Sequence, residues 1–453
     1  ASTGRSGCLP DESGIARVSR ALLVDLYELT MAASYHAEAM FGAASFELFF
    51  RDLPPVRNYL VASGLEEALD YLGGLSFTPG DLDYLGTLGL FPVGFLEFLG
   101  DLSFSGDVWS VAEGEVVFPK EPVLRVTGPL IEAQIVETYL LNCINFSTAV
   151  ASKAARVATV CGSRSFVDFS ARRDHGADAA LLAARAAYLG GASATSNVLA
   201  GHRFGLPLSG TMAHSYVLAF PDEASAFRAF ARLFPTTAVL LIDTHDTLAG
   251  ARVAAAVASE LAPEGVVVRG VRIDSGDLAA LAVQVRAILD EAGHPGIEIF
   301  ASGDLDEYRI AALLGAGAPI DGFGVGTQLG TSGDAPALGG VYKLVEDASG
   351  PKFKTSTGKA TLPGGTKQVY RFEEGGVLVR DLIAPARGPA PEGARPLLSQ
   401  VVAGGRRLGP PPALADVRAR CHASAGALAP RLRSLEPARP GYEVELSEEL
   451  LGA

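Results

Sequence analysis

The sequence predicts an α/β fold around a parallel sheet, open or closed into a barrel, with β-rich pieces on either side. Three observations carry that expectation. Between residues 165 and 325, short apolar runs alternate with amphipathic stretches of helical period. Before residue 128 and after residue 340, short β-type runs are separated by Gly and Pro. Every apolar run of the alternating part stops at a polar residue or a glycine, as strand ends around a barrel site do.

In chain order, Leu26 to Tyr35 is predicted as a helix entered at Asp25, with Asp25 and Glu28 at capping-box spacing. Ser45 to Phe50 alternates as a strand, Arg51 to Pro55 is a turn, and Gly64 to Leu72 is an amphipathic helix. Val108 to Val111, Glu115 to Phe118 and Pro122 to Val126 are short strands of a small β domain. Pro129 to Ala155 reads as one long, mostly apolar helix buried between domains. The alternation follows. The strands are expected at Ser165 to Ala171, Leu206 to Met212, Ala238 to Ile242, Val266 to Ile273, Ile297 to Ala301 and Gly322 to Val325. The helices between them are Ala179 to Leu189, Glu223 to Phe234, Thr247 to Leu261, Leu278 to Ala292 and Leu305 to Leu314. Pro385 to Pro412 is expected as a surface loop, and Ala413 to Leu432 as helix whose Arg418, Arg420 and Arg431 are solvated.

The 453 residues carry a formal charge of −14, which argues against bulk affinity for nucleic acid or an anionic membrane. Cys8, Cys143, Cys161 and Cys421 form no C-x-x-C pair, so neither zinc nor a disulfide framework is expected, and a reducing cytoplasm fits. The first fourteen residues hold no apolar signal core, and no uncharged apolar run reaches membrane-span length.

The strand ends supply the chemistry: Arg172, Thr211 with His214, Asp243, Arg272 with Asp274, Ser302 with Gly303, and Gly326 with Thr327. In Val271-Arg272-Ile273-Asp274 the period of two puts Arg272 and Asp274 on one face. In the run from Val167 to Arg172 it groups Asp168, Ser170 and Arg172, and these polar sets are expected to converge on the barrel axis. Buried Arg and Asp are costly unless paired, so the interior must be a site or an ion-pair network. Glycine turns at the late strand ends suit a phosphate monoester. The set fits displacement at a sugar anomeric carbon with diphosphate leaving. Asp274 and Asp277 would position a hydroxyl or Mg²⁺, or stabilise an oxocarbenium-like centre. The residues alone do not name the base.

At these positions the chain resembles the nicotinate phosphoribosyltransferases. The resemblance rests on Asp25-Leu26-Tyr27-Glu28-Leu29-Thr30-Met31-Ala32, Phe49-Phe50-Arg51, Gly64-Leu65-Glu66-Glu67 and Ala171-Arg172-Arg173. It continues through Gly210-Thr211-Met212-Ala213-His214-Ser215, Arg272-Ile273-Asp274-Ser275-Gly276-Asp277-Leu278 and Gly324-Val325-Gly326-Thr327. It ends with Leu338-Gly339-Gly340-Val341-Tyr342-Lys343-Leu344 and Pro363-Gly364-Gly365-Thr366-Lys367. Where that family carries Asp-Thr-Tyr, this chain has Asp243-Thr244-His245.

The resemblance implies an irregular α/β barrel of the type II phosphoribosyltransferase kind, beside an α+β domain built from both chain ends. The expected boundaries are 1–128, 129–343 and 344–453. It implies transfer of phosphoribose from phosphoribosyl diphosphate to nicotinate in NAD salvage, coupled to hydrolysis of ATP, with Mg²⁺ required. His214 would be the phosphorylated residue, with Asp243 and Asp274 catalytic. Tyr27, Thr211 and Arg272 would hold nicotinate. Ser302, Gly303, Gly326 and Thr327 would hold the 5′-phosphate, and Arg172 or Arg173 the diphosphate. The residues that would ligate the Mg²⁺ are left open. A homodimer is expected, with Tyr27 reaching the partner's site. The rival readings are transfer to nicotinamide or quinolinate, a non-catalytic nucleotide-binding relative, and a Schiff-base lyase. The last is disfavoured because no Lys lies between Lys153 and Lys343.

Overall fold

The computed structural model describes residues 19–354 and 362–451. Cys8 and the polar first fourteen residues lie outside the described residues.

Six strands form the parallel sheet. Across it they run Ala194–Thr195, Ser165–Asp168, Gly322–Val325, Glu298–Ala301, Val268–Ile273 and Ala238–Leu241. The first long strand of the series pairs with the last, Phe166 with Phe323 and Asp168 with Val325, which curls the sheet into a barrel. One seam is left, between Ala194–Thr195 and Ala238–Leu241. The expected strand Leu206 to Met212 does not form there. It makes a single parallel bridge, Leu208 to Thr195. Pro207 has no N–H to continue a ladder, and Ser209 and Gly210 follow it. The barrel is irregular for that reason.

Its interior is shaped by glycine. A Cβ on Gly322 would lie 2.7 Å from the Phe300 ring, and one on Gly324 2.5 Å from the Phe169 ring. Alternate positions of the one strand Gly322–Val325 therefore carry no side chain, and two phenyl rings take the space. Ser165, Val167 and Phe169 line this space, whereas the expected inward set of Asp168, Ser170 and Arg172 does not. Asp168 is buried on the other face, accepting from Ser170 N (3.0 Å) and Thr195 Oγ1 (2.7 Å). Alternation separates two faces but does not say which looks inward when both are buried. Arg272 does face in, while Val271 and Ile273 pack outward and are buried.

A seven-stranded sheet stands beside the barrel. Its middle strands are Gly340–Asp347, Ala43–Phe50, Pro122–Pro129, Asp107–Val111 and Leu398–Ala403, so it draws on both ends of the chain. Leu398–Ala403, together with Ala394–Pro396, replaces the surface loop expected from Pro and Gly content. Leu398 and Val402 are buried against Asp107–Val111.

The long helix expected from Pro129 is two, Leu130–Gln134 and Glu137–Cys161, and the second runs from one hydrophobic core into the other. It carries a buried ion network. Lys153 pairs with Glu307 (2.6 Å) and Asp334 (3.0 Å), Arg156 with Glu307 (2.9 Å), and Asp334 with Arg57 (2.8 Å). The helix Leu26–Ala37 starts at Asp25 without a side-chain cap. Glu28, the residue expected to complete a capping box, is instead buried against the Thr138 hydroxyl. The expected solvated arginines of the helix Leu414–Gly426 are not free. Arg418 donates to the carbonyls of Tyr188, Gly191 and Ala192, and Arg420 to that of Glu113 (2.8 Å). No helix among the described residues is long and apolar enough to cross a membrane.

Candidate active site at the carboxyl ends of the barrel strands

Three adjacent strand ends are stitched together by carboxylates. Asp243, just past Ala238–Leu241, accepts through Oδ2 from Asp274 N (2.9 Å) and Ser275 Oγ (2.6 Å). Asp274 in turn takes the hydroxyl of Ser302, whose own N–H donates to Ile273 O (2.9 Å). Gly303 follows with φ +97°, and a Cβ there would sit 2.1 Å from Asp274 O, so only glycine lets the loop lie against its neighbour. Asp243 Oδ1 is buried without a partner.

Arg272 crosses from its strand to the seam. Its Nη1 donates to Thr211 Oγ1 (2.8 Å) and its Nη2 to Met212 O (3.0 Å), while its Nε is buried and unpartnered. Burial, reinforced by the charge of Arg172, lowers the pKa of the guanidinium, and Asp274 and Asp243 oppose this. The guanidinium lies 6.0 Å from the centre of the Phe169 ring. It closes a cavity of about 520 Å³ whose other walls include Val167, Thr211, Phe300 and Gly324. Phe169, Phe300 and Phe323 line the cavity, with Arg272 and Arg269 and several hydroxyls on its wall, and such a slot fits a flat aromatic anion.

His214 opens the short helix His214–Leu218, and its Nδ1 lies 3.1 Å from Thr244 Oγ1. That contact occupies one ring nitrogen and leaves Nε2 available. Gly326 and Thr327 begin the turn Thr327–Gly330. The first internal donors there are Leu329 and Gly330, both to Gly326 O, so the N–H groups of Thr327 and Gln328 make no bond within the turn. Arg172 and Arg173 are exposed on the loop after Ser165–Asp168. Asp277 is an N-cap, accepting from Ala280 N (3.2 Å), rather than a partner of Asp274. Tyr27 stands apart: it is 46 % exposed and its surroundings are Glu137 and Glu28, not the barrel residues.

Thus Arg272, Thr211, Asp243, Asp274, Ser302 and Gly303 are brought together, and Tyr27 is not among them within one chain. Phe169, Thr244 and Ser275 were missed. Ser275 was legible inside Arg272-Ile273-Asp274-Ser275, and Phe169 needed the inward face of its strand. His245 lies beside Glu223, whose carboxyl is raised by burial and lowered by that imidazole. No group of three His, Cys, Asp or Glu side chains able to hold a metal ion exists among the described residues.

Comparison with known proteins gives a consistent picture. The family model for the nicotinate phosphoribosyltransferase N-terminal domain matches residues 22–145. A nicotinate phosphoribosyltransferase of Mycobacterium tuberculosis is 49 % identical over 433 residues, covering 95 % of this chain and 92 % of the relative. That of Bacillus subtilis is 46 % identical, covering 80 % and 75 %. The crystal structure of human nicotinic acid phosphoribosyltransferase superposes with a TM-score of 0.84 at 29 % identity, covering 94 % of this chain and 98 % of the human one. A nicotinate-nucleotide pyrophosphorylase from Pyrococcus furiosus, at 24 % identity and a TM-score of 0.74, shares the fold.

Proposed function

The chain belongs to the nicotinate phosphoribosyltransferase family, and from that premise we propose how its residues divide the work of an enzyme that joins nicotinate to phosphoribosyl diphosphate. The carrying observation is Arg272 on the wall of an aromatic-lined slot, with a buried Nε that no described residue satisfies.

In this reading the nicotinate carboxylate meets Arg272, with Thr211 fixing the guanidinium and Phe169 flanking the ring. A guanidinium fork suits a carboxylate and has no counterpart for an amide, which favours nicotinate over nicotinamide. The ring nitrogen bonds to the anomeric carbon as the bond to diphosphate breaks. Asp243 and Asp274 face the ribose hydroxyls and the developing positive charge. The N–H groups at Gly326 and Thr327, with Gly303 and Ser302, hold the 5′-phosphate, and Arg172 or Arg173 the diphosphate.

Asp243 Oδ1 is an oxygen suited to a hard cation, but the residues form no full cage. Asp243 Oδ1 would be the chain's oxygen to hold Mg²⁺, which when bound would neutralise charge on the leaving diphosphate. We assign His214 Nε2 as the nitrogen that accepts the γ-phosphoryl of ATP, because Thr244 engages Nδ1. The intended quaternary state is a homodimer in the cytoplasm, Tyr27 completing the partner's site.

The test uses γ-labelled ATP and diphosphate release. The wild type should take an acid-labile, base-stable label, and His214→Ala should not. His214→Ala should also lose stimulation by ATP while keeping slow ATP-independent transfer. Absence of label on the wild type, or continued stimulation of the variant, would sink the role of His214. Equal turnover of nicotinamide and nicotinate would sink that of Arg272.

A further inference from the structure

A second cavity, of about 500 Å³, lies at the amino-terminal end of the barrel, opposite the strand ends described above. It is framed by the end of Glu137–Cys161, the end of the helix Ala177–Gly190, and the helix Leu414–Gly426. Its walls are of two kinds. Ala155, Ala158, Phe166, Leu189 and Ala425 make an apolar floor, and Arg164, Arg418, His422 and Arg433 stand over it. No carboxylate lines it among the described residues, in a chain whose formal charge is −14.

Two helix carboxyl ends point carbonyls towards this space, which would favour cations. Arg418 already answers them, with donors to Tyr188, Gly191 and Ala192 carbonyls. Arg164 spends only Nε, on Ile320 O (2.8 Å). Among the described residues its two Nη groups make no hydrogen bond, and Arg433 and His422 make no side-chain hydrogen bond or ion pair. The charge left over is positive and uncommitted, over a floor that can carry an apolar or heteroaromatic body. Guanidinium groups in such an arrangement recognise phosphate oxygens.

We propose that this cavity binds an organic phosphate, its phosphate among Arg164, His422 and Arg433 and its body on the floor around Ala158 and Phe166. The site goes beyond the transfer reaction and shares no residue assigned to it. It is built to report on that reaction, because Ser165 and Ser193 line both this cavity and the barrel interior. The strand between the two cavities, Ser165–Asp168, leads directly to Phe169 and the Arg172–Arg173 loop.

The experiment is calorimetric titration with adenosine 5′-monophosphate of three full-length proteins: the wild type, Arg433→Ala/His422→Ala, and Gly326→Val. Arg433 and His422 are exposed, so their removal should leave the fold intact, checked by the melting temperature. The wild type and Gly326→Val should share a site whose affinity falls tenfold or more in the double variant. Unchanged binding in the double variant, or loss of all binding in Gly326→Val, would overturn the proposal, the latter by placing the nucleotide in the barrel mouth. An anomalous peak after soaking crystals with tungstate gives an independent readout. A peak among Arg164, His422 and Arg433 is expected, and its absence at occupancy seen elsewhere on the barrel counts against the site.

Discussion

Arg272 shows how one side chain gathers several constraints. Its place on the inward face follows from a period of two, with Val271 and Ile273 buried on the other side. Two of its donors fasten the segment that leads to His214, and its Nε is held out of water with no partner. Replacing it should therefore injure binding of the acid more than the chain's stability. Arg272→Ala is expected to cost about 1.5–3 kcal/mol in kcat/KM for nicotinate, the usual worth of a charge-assisted contact. Steady-state kinetics with phosphoribosyl diphosphate saturating would check it, and a loss confined to that second substrate would move the carboxylate contact elsewhere. The arginine and the carboxylates were readable because each ends a strong apolar run. Phe169 was not, since a strand buried on both faces hides which of its sets looks inward.

At the scale of elements, the helix Leu26–Ala37 is tied to Glu137–Cys161 by an acid in an apolar place. Burial pushes the Glu28 carboxyl up to about 8, with Glu137 and Asp25 adding and the Thr138 hydroxyl opposing. Folded protein therefore holds this proton more tightly than unfolded chain. The contribution is intact below pH 4.5, falls as pH rises because only the unfolded state releases the proton, and is gone above about pH 8. Glu28→Gln should gain stability relative to the wild type between pH 5 and pH 9, by about 1.4 kcal/mol for each unit of the shift that survives in solution. Urea unfolding of both proteins at the two pH values decides it, and parallel pH dependence would refute it. Sequence spacing had suggested a capping box here. Spacing shows that Glu28 can reach back to the helix start, but not that another helix offers it Thr138. The same limit explains Leu206 to Met212, where apolar content promised a strand and Pro207 prevented the ladder. The strands and helices from Ala238 to Val325 were legible because local pattern and tertiary burial agree there.

For the whole molecule, the distance of Tyr27 from its expected companions has a quantitative consequence. If each site takes Tyr27 from one subunit and Arg272 from the other, mixing two inactive proteins restores activity. Equal amounts of Tyr27→Ala and Arg272→Ala, unfolded and refolded together, should recover roughly a quarter of wild-type turnover, because half the dimers carry one intact site. No recovery would place Tyr27 outside the shared site. Within each chain, the barrel is a ribbon with two edges: the segment around Leu208 is bridged to Thr195 at one edge, and Arg272, from the strand next to the other edge, reaches that segment at Thr211 and Met212. Such a ring behaves as a clasp, and the ligand is its pin. Amide protons of residues 209–213 should trade with deuterium sooner than those of 165–168, whose ladder is complete, and nicotinate should slow the first set while leaving the second unmoved. Affinity and closure would then be one quantity read in two ways, the tightness of the seam.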